Sequence, residues 1–132
     1  MLIRSFKLSL MVVLFSLLFS CATTDEVEVL DASLRSYERA IRWGDFSRAK
    51  SFHKNSPELS DLERRRLKLY RVTGYSVIRS ETPDRHNSHI MIEIKYYKND
   101  RPVIKTLSAK QHWKRDKDSS LWYIESAFPS FK

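Results

Sequence analysis

The stretch HIMIEIKYYK, residues 89–98, decides the fold that we predict for this chain. One face of an extended strand here would carry four apolar or aromatic side chains: Ile90, Ile92, Ile94 and Tyr96. The other face would carry Met91, Glu93, Lys95 and Tyr97. A period of two with one apolar face is typical of a β-strand that packs on a core and meets solvent on its second face. We therefore predict a strand of a half-exposed antiparallel sheet.

Three more strands are predicted around this one. RVTGYSVIRSE, residues 71–81, precedes it, and Gly74 in its middle indicates a bulge or kink. VIKTLSAKQHW, residues 103–113, follows the turn NDRP, and LWYIESAF, residues 121–128, follows the turn KRDKDSS. The short turns make each strand the neighbour of the next, so the sequence predicts a four-stranded antiparallel meander.

Both hairpins have a register that follows from the position of the turn. The first, centred on Asn99-Asp100, pairs Ile94 with Lys105, Ile92 with Leu107 and Ile90 with Ala109. The second, centred on Lys117-Asp118, pairs Trp113 with Trp122, Gln111 with Ile124, Ala109 with Ser126 and Leu107 with Phe128. On the opposite face, Lys110 would meet Glu125. Apolar residues share one side in both hairpins, and a one-residue slip would turn that side outward.

The residues before the sheet follow a helical period instead. A first helix is predicted from the apolar stripe Val27, Leu30, Leu34, Tyr37 and Ile41. Gly44 would end it in a left-handed cap, and Asp45 would cap a short second helix that reaches about His53 and buries Phe46, Ala49 and Phe52. A third helix would begin either at Ser56, with Pro57 behind it, or at the capping box Ser60–Glu63. Its inward side is predicted to consist of Leu59, Leu62, Leu69 and Tyr70.

This order of elements predicts one α+β domain over residues 27–132, with N-terminal helices packed on one face of a curved sheet. YERAIRWGDFSRAKSFH, residues 37–53, and the strands from YRVTGYSVI to LWYIESAFP resemble the nuclear transport factor 2-like, or cystatin-like, superfamily. The resemblance implies a sheet that wraps around the first helix to form a cone. It also implies that an enzyme of this kind would use a carboxylate or a histidine inside the cone, together with an oxyanion donor.

The predicted register leaves no carboxylate and no histidine inside the cone. The polar or aromatic groups that it turns inward are Tyr37, Tyr75, Tyr96, Lys105, Gln111 and Ser126. Glu93, His112 and Glu125 fall on the outer face, so the superfamily's catalytic residues do not carry over and we expect no enzymatic activity. The six inward residues either line a pocket for a small ligand or are core residues with their polar ends at an edge.

The first twenty residues predict a secretory signal peptide. MLIRSFK carries Arg4 and Lys7 without an acid, and the twelve residues LSLMVVLFSLLF that follow are almost entirely apolar. A basic start, a short apolar run and a small residue such as Ser20 are typical of an exported protein. The run is shorter than the roughly 20 apolar residues that a membrane-spanning helix needs. One alternative is that the run is a retained membrane span. For Cys21, the alternative to a functional role is a lone cysteine buried in a helix.

The four residues Leu18-Phe19-Ser20-Cys21 resemble the lipobox of bacterial lipoproteins. The resemblance implies cleavage between Ser20 and Cys21, a diacylglycerol on the thiol and a fatty acid such as palmitate on the new amino group. Residues 21–26 would then be the lipid anchor and a short tether. Ala22 in place of aspartate implies, in a Gram-negative host, the periplasmic face of the outer membrane.

Charge narrows the range of partners. The chain has a formal net charge of +8, and removal of the signal peptide lowers it to +6. The densest basic run, ERRRLKLYR, would place Arg64, Arg65 and Lys68 on one side of the third helix, with Arg71 just beyond it. Export argues against nucleic acid, so this face either meets anionic lipids, polymers or proteins of the envelope, or is an ordinary solvated surface.

Metal and cofactor chemistry has little support in the sequence. DRHNSH, residues 84–89, holds two histidines and Asp84, but its Asp, Asn and Ser content is typical of a solvated turn, so we predict no metal site and no cofactor.

Three functions remain open at this point. The first is binding of an envelope protein or of a second copy through the outer sheet face, which would carry the lysines Lys95 and Lys110 and the outward residues Met91, Tyr97, Ile104, Leu121 and Tyr123. The second is a ligand-binding cone, and the third is attachment to anionic envelope polymers through the basic helix face.

Overall fold

The computed structural model describes residues 24–132 of the chain. The predicted signal peptide and lipobox therefore lie outside the described residues. Within this range, three helices precede a four-stranded antiparallel sheet of order β1-β2-β3-β4, which confirms the predicted α+β fold. The elements are α1 (Thr24–Arg42), α2 (Phe46–Ser51), α3 (Asp61–Leu67), β1 (Tyr70–Glu81), β2 (Asn87–Lys98), β3 (Arg101–Arg115) and β4 (Trp122–Ile124).

The helix ends follow their predicted capping residues. Gly44 has a φ of +72°, the left-handed conformation that ends α1. The Asp45 carboxylate accepts a hydrogen bond from the Arg48 backbone N–H at 3.2 Å and so begins α2. At α3, the backbone N–H of Ser60 donates to the Glu63 carboxylate at 2.9 Å, while the Glu63 N–H donates to the Ser60 hydroxyl at 3.3 Å. This reciprocal pair is the predicted capping box.

Three residues predicted to face inward are exposed instead. Leu62 and Leu69 point to solvent, and Leu67 is the residue of α3 that enters the core. Leu62 and Leu67 are five positions apart, which separates them by about 140° around a helix, so they cannot share one face. Val27 is 62 % exposed because the preceding residue of α1, Glu26, turns toward the sheet and accepts a hydrogen bond from Arg115 at 2.8 Å.

The alternation in β2 is confirmed, but the register of the first hairpin is shifted by two residues. Lys98 pairs with Arg101 across the Asn99-Asp100 turn, as predicted. Tyr96 should then pair with Val103, but it pairs with Lys105 instead. The observed pairs are Ile94–Leu107, Ile92–Ala109 and Ile90–Gln111. Two extra residues of β3 are accommodated beside Pro102, which has no N–H to donate to a ladder. A shift of two keeps every side chain on its predicted face.

The second hairpin shows the same displacement, and its last strand is shorter than predicted. Trp113 pairs with Ile124 instead of Trp122, because the connecting loop is closed by Asp116. Asp116 accepts backbone hydrogen bonds from Ser120 at 2.9 Å and from Asp118 at 3.0 Å. The pairs predicted beyond Ile124 are therefore absent from the described strands.

The predicted Lys110–Glu125 pair is also wrong. The Glu125 carboxylate lies 3.2 Å from the Lys114 ammonium and 3.0 Å from the His112 ring instead. The two-residue displacement of the hairpin explains this change of partner.

The two edges of the sheet differ. The pairing of β1 with β2 is interrupted by two register shifts, one at Thr73 beside Gly74 as predicted and one at Ile78. Helix α1 packs against β1, and its Arg42 guanidinium donates a hydrogen bond to the Tyr75 carbonyl at 3.1 Å. In contrast, β3 pairs with β4 only over Trp113–Arg115. Among the described residues, no strand pairs with the outer side of β3 from Arg101 to Gln111.

The core lies between the helices and the inner face of the sheet. Its largest fully buried side chains are Trp113, Tyr37 and Phe131. Phe131 comes from the segment after β4 and packs against Phe46 of α2 and Tyr96 of β2, with ring centroids 5.1 and 5.0 Å apart. The segment after β4 therefore folds back over the inner face and closes that end of the domain.

Candidate functional site

The six residues predicted to line a pocket do not surround one cavity. Tyr37, Tyr75, Tyr96 and Gln111 are buried in the core, Ser126 is half-buried and Lys105 is exposed. The Tyr96 hydroxyl and the Lys105 ammonium both donate to the Lys132 carbonyl, at 3.1 and 3.0 Å. The segment after β4 thus occupies the region between these two residues, and aromatic side chains fill the space around Tyr37.

A buried histidine that the sequence did not single out lies at the centre of the polar groups. His53 is 2 % exposed, and its Nδ1–H donates to the Ser126 backbone carbonyl at 2.8 Å. Its Nε2 therefore has a free lone pair, and the Tyr37 hydroxyl donates to it at 3.1 Å. Burial raises the pKa of the Tyr37 hydroxyl, which keeps its proton in place. The arrangement joins α1, the end of α2 and the segment after β4.

The second buried polar group is Gln111. The Trp113 indole N–H donates to the Gln111 side-chain carbonyl at 3.0 Å, while the Gln111 Nε2 has no hydrogen-bond partner among the described residues. Both side chains are enclosed by the core. The hydrogen bond between Trp113 and Gln111 can stabilise a unique packing of the core. Gln111 also borders a cleft that Met91, Lys110 and Ser126 help to line.

His53 predicts a pH dependence of stability. Burial lowers the pKa of His53 below its ordinary value of 6.5; the hydrogen bond to Ser126 opposes this shift, and the charge of Lys50 adds to it. As the pH falls through 6.5, the unfolded chain therefore takes up a proton that the folded state resists, and stability falls. We expect the free energy of unfolding, measured with urea, to be higher at pH 8 than at pH 5.5.

The matched variants are His53→Gln and His86→Gln, the second in an exposed turn. The His53 variant should lose much of this pH dependence, and the His86 variant should retain it. Equal pH dependence in the wild type and in His53→Gln would contradict the assignment.

Only three of the four residues of the predicted basic face lie together. Arg64, Arg65 and Lys68 are exposed on or just after α3, but Arg71 lies on β1, where it pairs with Tyr97. Arg64 is 4.0 Å from Asp61 and also borders a cleft that reaches α2. The four residues therefore belong to two neighbouring surfaces.

The outer face of the sheet is a mixed polar surface. Met91 lies in a row between Arg79 and Lys110, and the next row is Glu81, His89 and His112. The two histidine rings of that row stack at 4.5 Å. Tyr123, at the far end, lies under the Lys54 ammonium at 4.4 Å. The predicted apolar residues are thus separated by charged ones and do not form a single apolar patch with Met91.

The turn with Asp84 is ordered by that residue. Its carboxylate accepts hydrogen bonds from the His86 backbone at 2.7 Å and from the Asn87 side chain at 3.0 Å, and these bonds lower the pKa of Asp84. Within residues 24–132, no three histidine, cysteine, aspartate or glutamate residues are grouped as a metal site would require.

The length and composition of the helices in residues 24–132 show whether any of these helices could cross a membrane. None of the helices found there combines the length and the apolar character that crossing a membrane requires.

Comparison of the chain with protein-family models, with curated proteins and with solved structures found no match. The resemblances to lipoproteins and to the nuclear transport factor 2-like superfamily therefore stay predictions. The features of residues 24–132 that point to a function are the unpaired edge of β3 and the charged surfaces.

Proposed function

We propose that this chain is a lipid-anchored, non-catalytic module of the cell envelope that binds a partner protein. The partner would add an extended segment along the outer side of β3, next to the outer sheet face. The observation that carries this proposal is the edge of β3 from Arg101 to Gln111, which no other strand of residues 24–132 pairs with. Exposed strand edges present unpaired N–H and C=O groups that a further strand can bind.

The geometry of this edge suits strand addition. The pairing of β3 with β2 is continuous from Lys105 to Lys114, so the backbone is regular on the side that remains free. Just before this stretch, in the irregular start of β3, Val103 and Ile104 are 58 % and 54 % exposed and offer apolar contacts to an incoming strand. Main-chain hydrogen bonds would supply affinity, and the side chains beside the edge would supply specificity.

The charge of β3 favours an acidic partner over a second copy. The strand RPVIKTLSAKQHWKR contains five lysine or arginine residues and no acid. Two copies paired edge to edge would bring these positive charges together, whereas an acidic segment would neutralise them. The partner that fits is therefore an extended, acidic segment of an envelope protein.

The predicted anchor would hold this surface near a membrane. Cys21 is three positions before Thr24, the first residue of α1. Three residues span at most about 10 Å, so a lipid on Cys21 would keep the start of α1 close to the bilayer. The alternative of a small-ligand cone has less support, because side chains occupy the space that such a ligand would need.

Site-specific photocrosslinking tests the proposal. A photoreactive amino acid at Ile104 should give one discrete adduct in cells that express the lipidated protein, and mass spectrometry should identify an acidic segment in it. The same amino acid at Arg39, exposed on α1, is the matched control and should give none. Lys105→Glu with Lys110→Glu should abolish the Ile104 adduct.

Two outcomes would contradict the proposal. Adducts of equal yield from Ile104 and Arg39 would show that the edge has no specific partner. An Ile104 adduct to a second copy of the chain would replace the acidic partner with a homodimer.

A further inference from the structure

A cleft between α2 and α3 is lined by basic side chains from α2, from the segment after it and from α3. Its volume is about 510 Å³, and its lysine and arginine residues are Lys50 of α2, Lys54 of the following segment and Arg64 of α3. His53 lies at its buried side. Glu58 is the one acidic residue among the described residues that line it. The cleft shares no residue with the outer edge of β3, so it is independent of the proposed protein-binding surface.

The cations of this cleft are weakly neutralised. Among the described residues, Lys50 forms no ion pair. The ion pair of Arg64 with Asp61 is long, at 4.0 Å, and the Asp61 side chain is almost fully exposed. Lys54 lies 3.3 Å from Asp116, and that contact is also accessible to solvent. Exposed ion pairs are worth little, so an anion in the cleft could compete with them.

The donors around the cleft match one chemical class. Arginine offers a planar fork of N–H groups that suits phosphate oxygens, and lysine adds a compact positive charge. The hydroxyls of Ser47 and Ser56 also border the cleft and can donate further hydrogen bonds. A cavity of this volume is in the range of small-molecule sites and leaves space for more than the phosphate itself.

We propose that the cleft formed by Lys50, Lys54 and Arg64 binds a phosphate monoester of a small polyol. Such a group occurs on soluble sugar or glycerol phosphates and on monoester lipid headgroups. Both sources present the same terminal phosphate.

Binding measurements on the full-length protein in neutral detergent test this site. By isothermal titration calorimetry, glycerol 3-phosphate should bind saturably and glycerol should not. For the lipid source, binding to nanodiscs that contain phosphatidic acid is compared with binding to nanodiscs of phosphatidylcholine alone. Saturable binding of glycerol 3-phosphate would identify a soluble ester as the ligand. Binding only to phosphatidic acid would identify a lipid headgroup. Either result supports the proposed phosphate site.

A matched pair of double variants separates the cleft from general basicity. Lys50→Gln with Arg64→Gln removes two charges from the cleft, and Arg65→Gln with Lys68→Gln removes two from neighbouring positions outside its lining. The first pair should weaken binding at least tenfold, and the second less than twofold, with both circular dichroism spectra unchanged. Equal losses would overturn the proposal, as would a wild-type protein that binds neither ester saturably.

Discussion

Replacing Trp113 with alanine is expected to lower the free energy of unfolding by about 3–5 kcal/mol. The indole is fully buried, and its ring centroid lies 5.8 Å from those of both Tyr37 and Phe52. Its N–H is the donor to the Gln111 carbonyl. Alanine would leave a cavity where α1, the end of α2 and β3 meet, and would leave Gln111 with a second unpaired group.

Urea denaturation followed by circular dichroism measures this loss. Leu62→Ala is the control, because Leu62 is 71 % exposed and its truncation should change the free energy of unfolding by no more than about 0.5 kcal/mol. Trp113→Phe keeps a ring in the site and should lose less than alanine, which gives a measurable variant if Trp113→Ala does not fold. Similar losses for Trp113→Ala and Leu62→Ala would contradict the observed core.

Replacing Cys21 with serine should abolish lipidation and prevent cleavage of the signal at this site. A serine hydroxyl is not the nucleophilic thiolate that thioether formation needs. One acyl chain holds a protein to a bilayer only marginally, whereas two or three bind it almost permanently, so the anchor would be lost as a whole. Incorporation of an alkyne analogue of palmitate and the mass of the purified protein report the change directly.

The matched control for this anchor is Ser20→Ala. It keeps a small residue before Cys21, so cleavage and labelling should be retained. Normal labelling and normal membrane attachment of the Cys21→Ser variant would refute the predicted anchor, and with it the predicted localisation.

The strands could be predicted because their pattern is local, but their register could not. Ile90, Ile92 and Ile94 recur at every second position, and this period of two alone assigns their buried face. A shift of two residues preserves every face, so the alternation cannot distinguish the predicted pair Ile94–Lys105 from the observed pair Ile94–Leu107. The difference depends on how Pro102 and the loop at Asp116 are accommodated, which only the three-dimensional structure shows.

The candidate sites were predicted less well, because they depend on contacts between distant residues. His53 bonds to Ser126, 73 positions away, and no periodicity marks either residue. The cleft of Lys50, Lys54 and Arg64 combines residues of two short helices and of the segment between them, and no local pattern predicts how these parts are placed relative to one another. Arg64 was predicted as part of a basic surface, but its neighbours in the cleft were not.

The unequal edges of the sheet limit how these domains can assemble. Growth of a continuous intermolecular sheet requires two regular edges on every subunit, one to bind the previous strand and one to receive the next. On β1, the irregularities at Thr73 and Ile78 and the Arg42 contact make a poor template, while β3 offers a regular one from Lys105 onward. A strand added at β3, as we propose, would therefore end the sheet and would not seed a fibre.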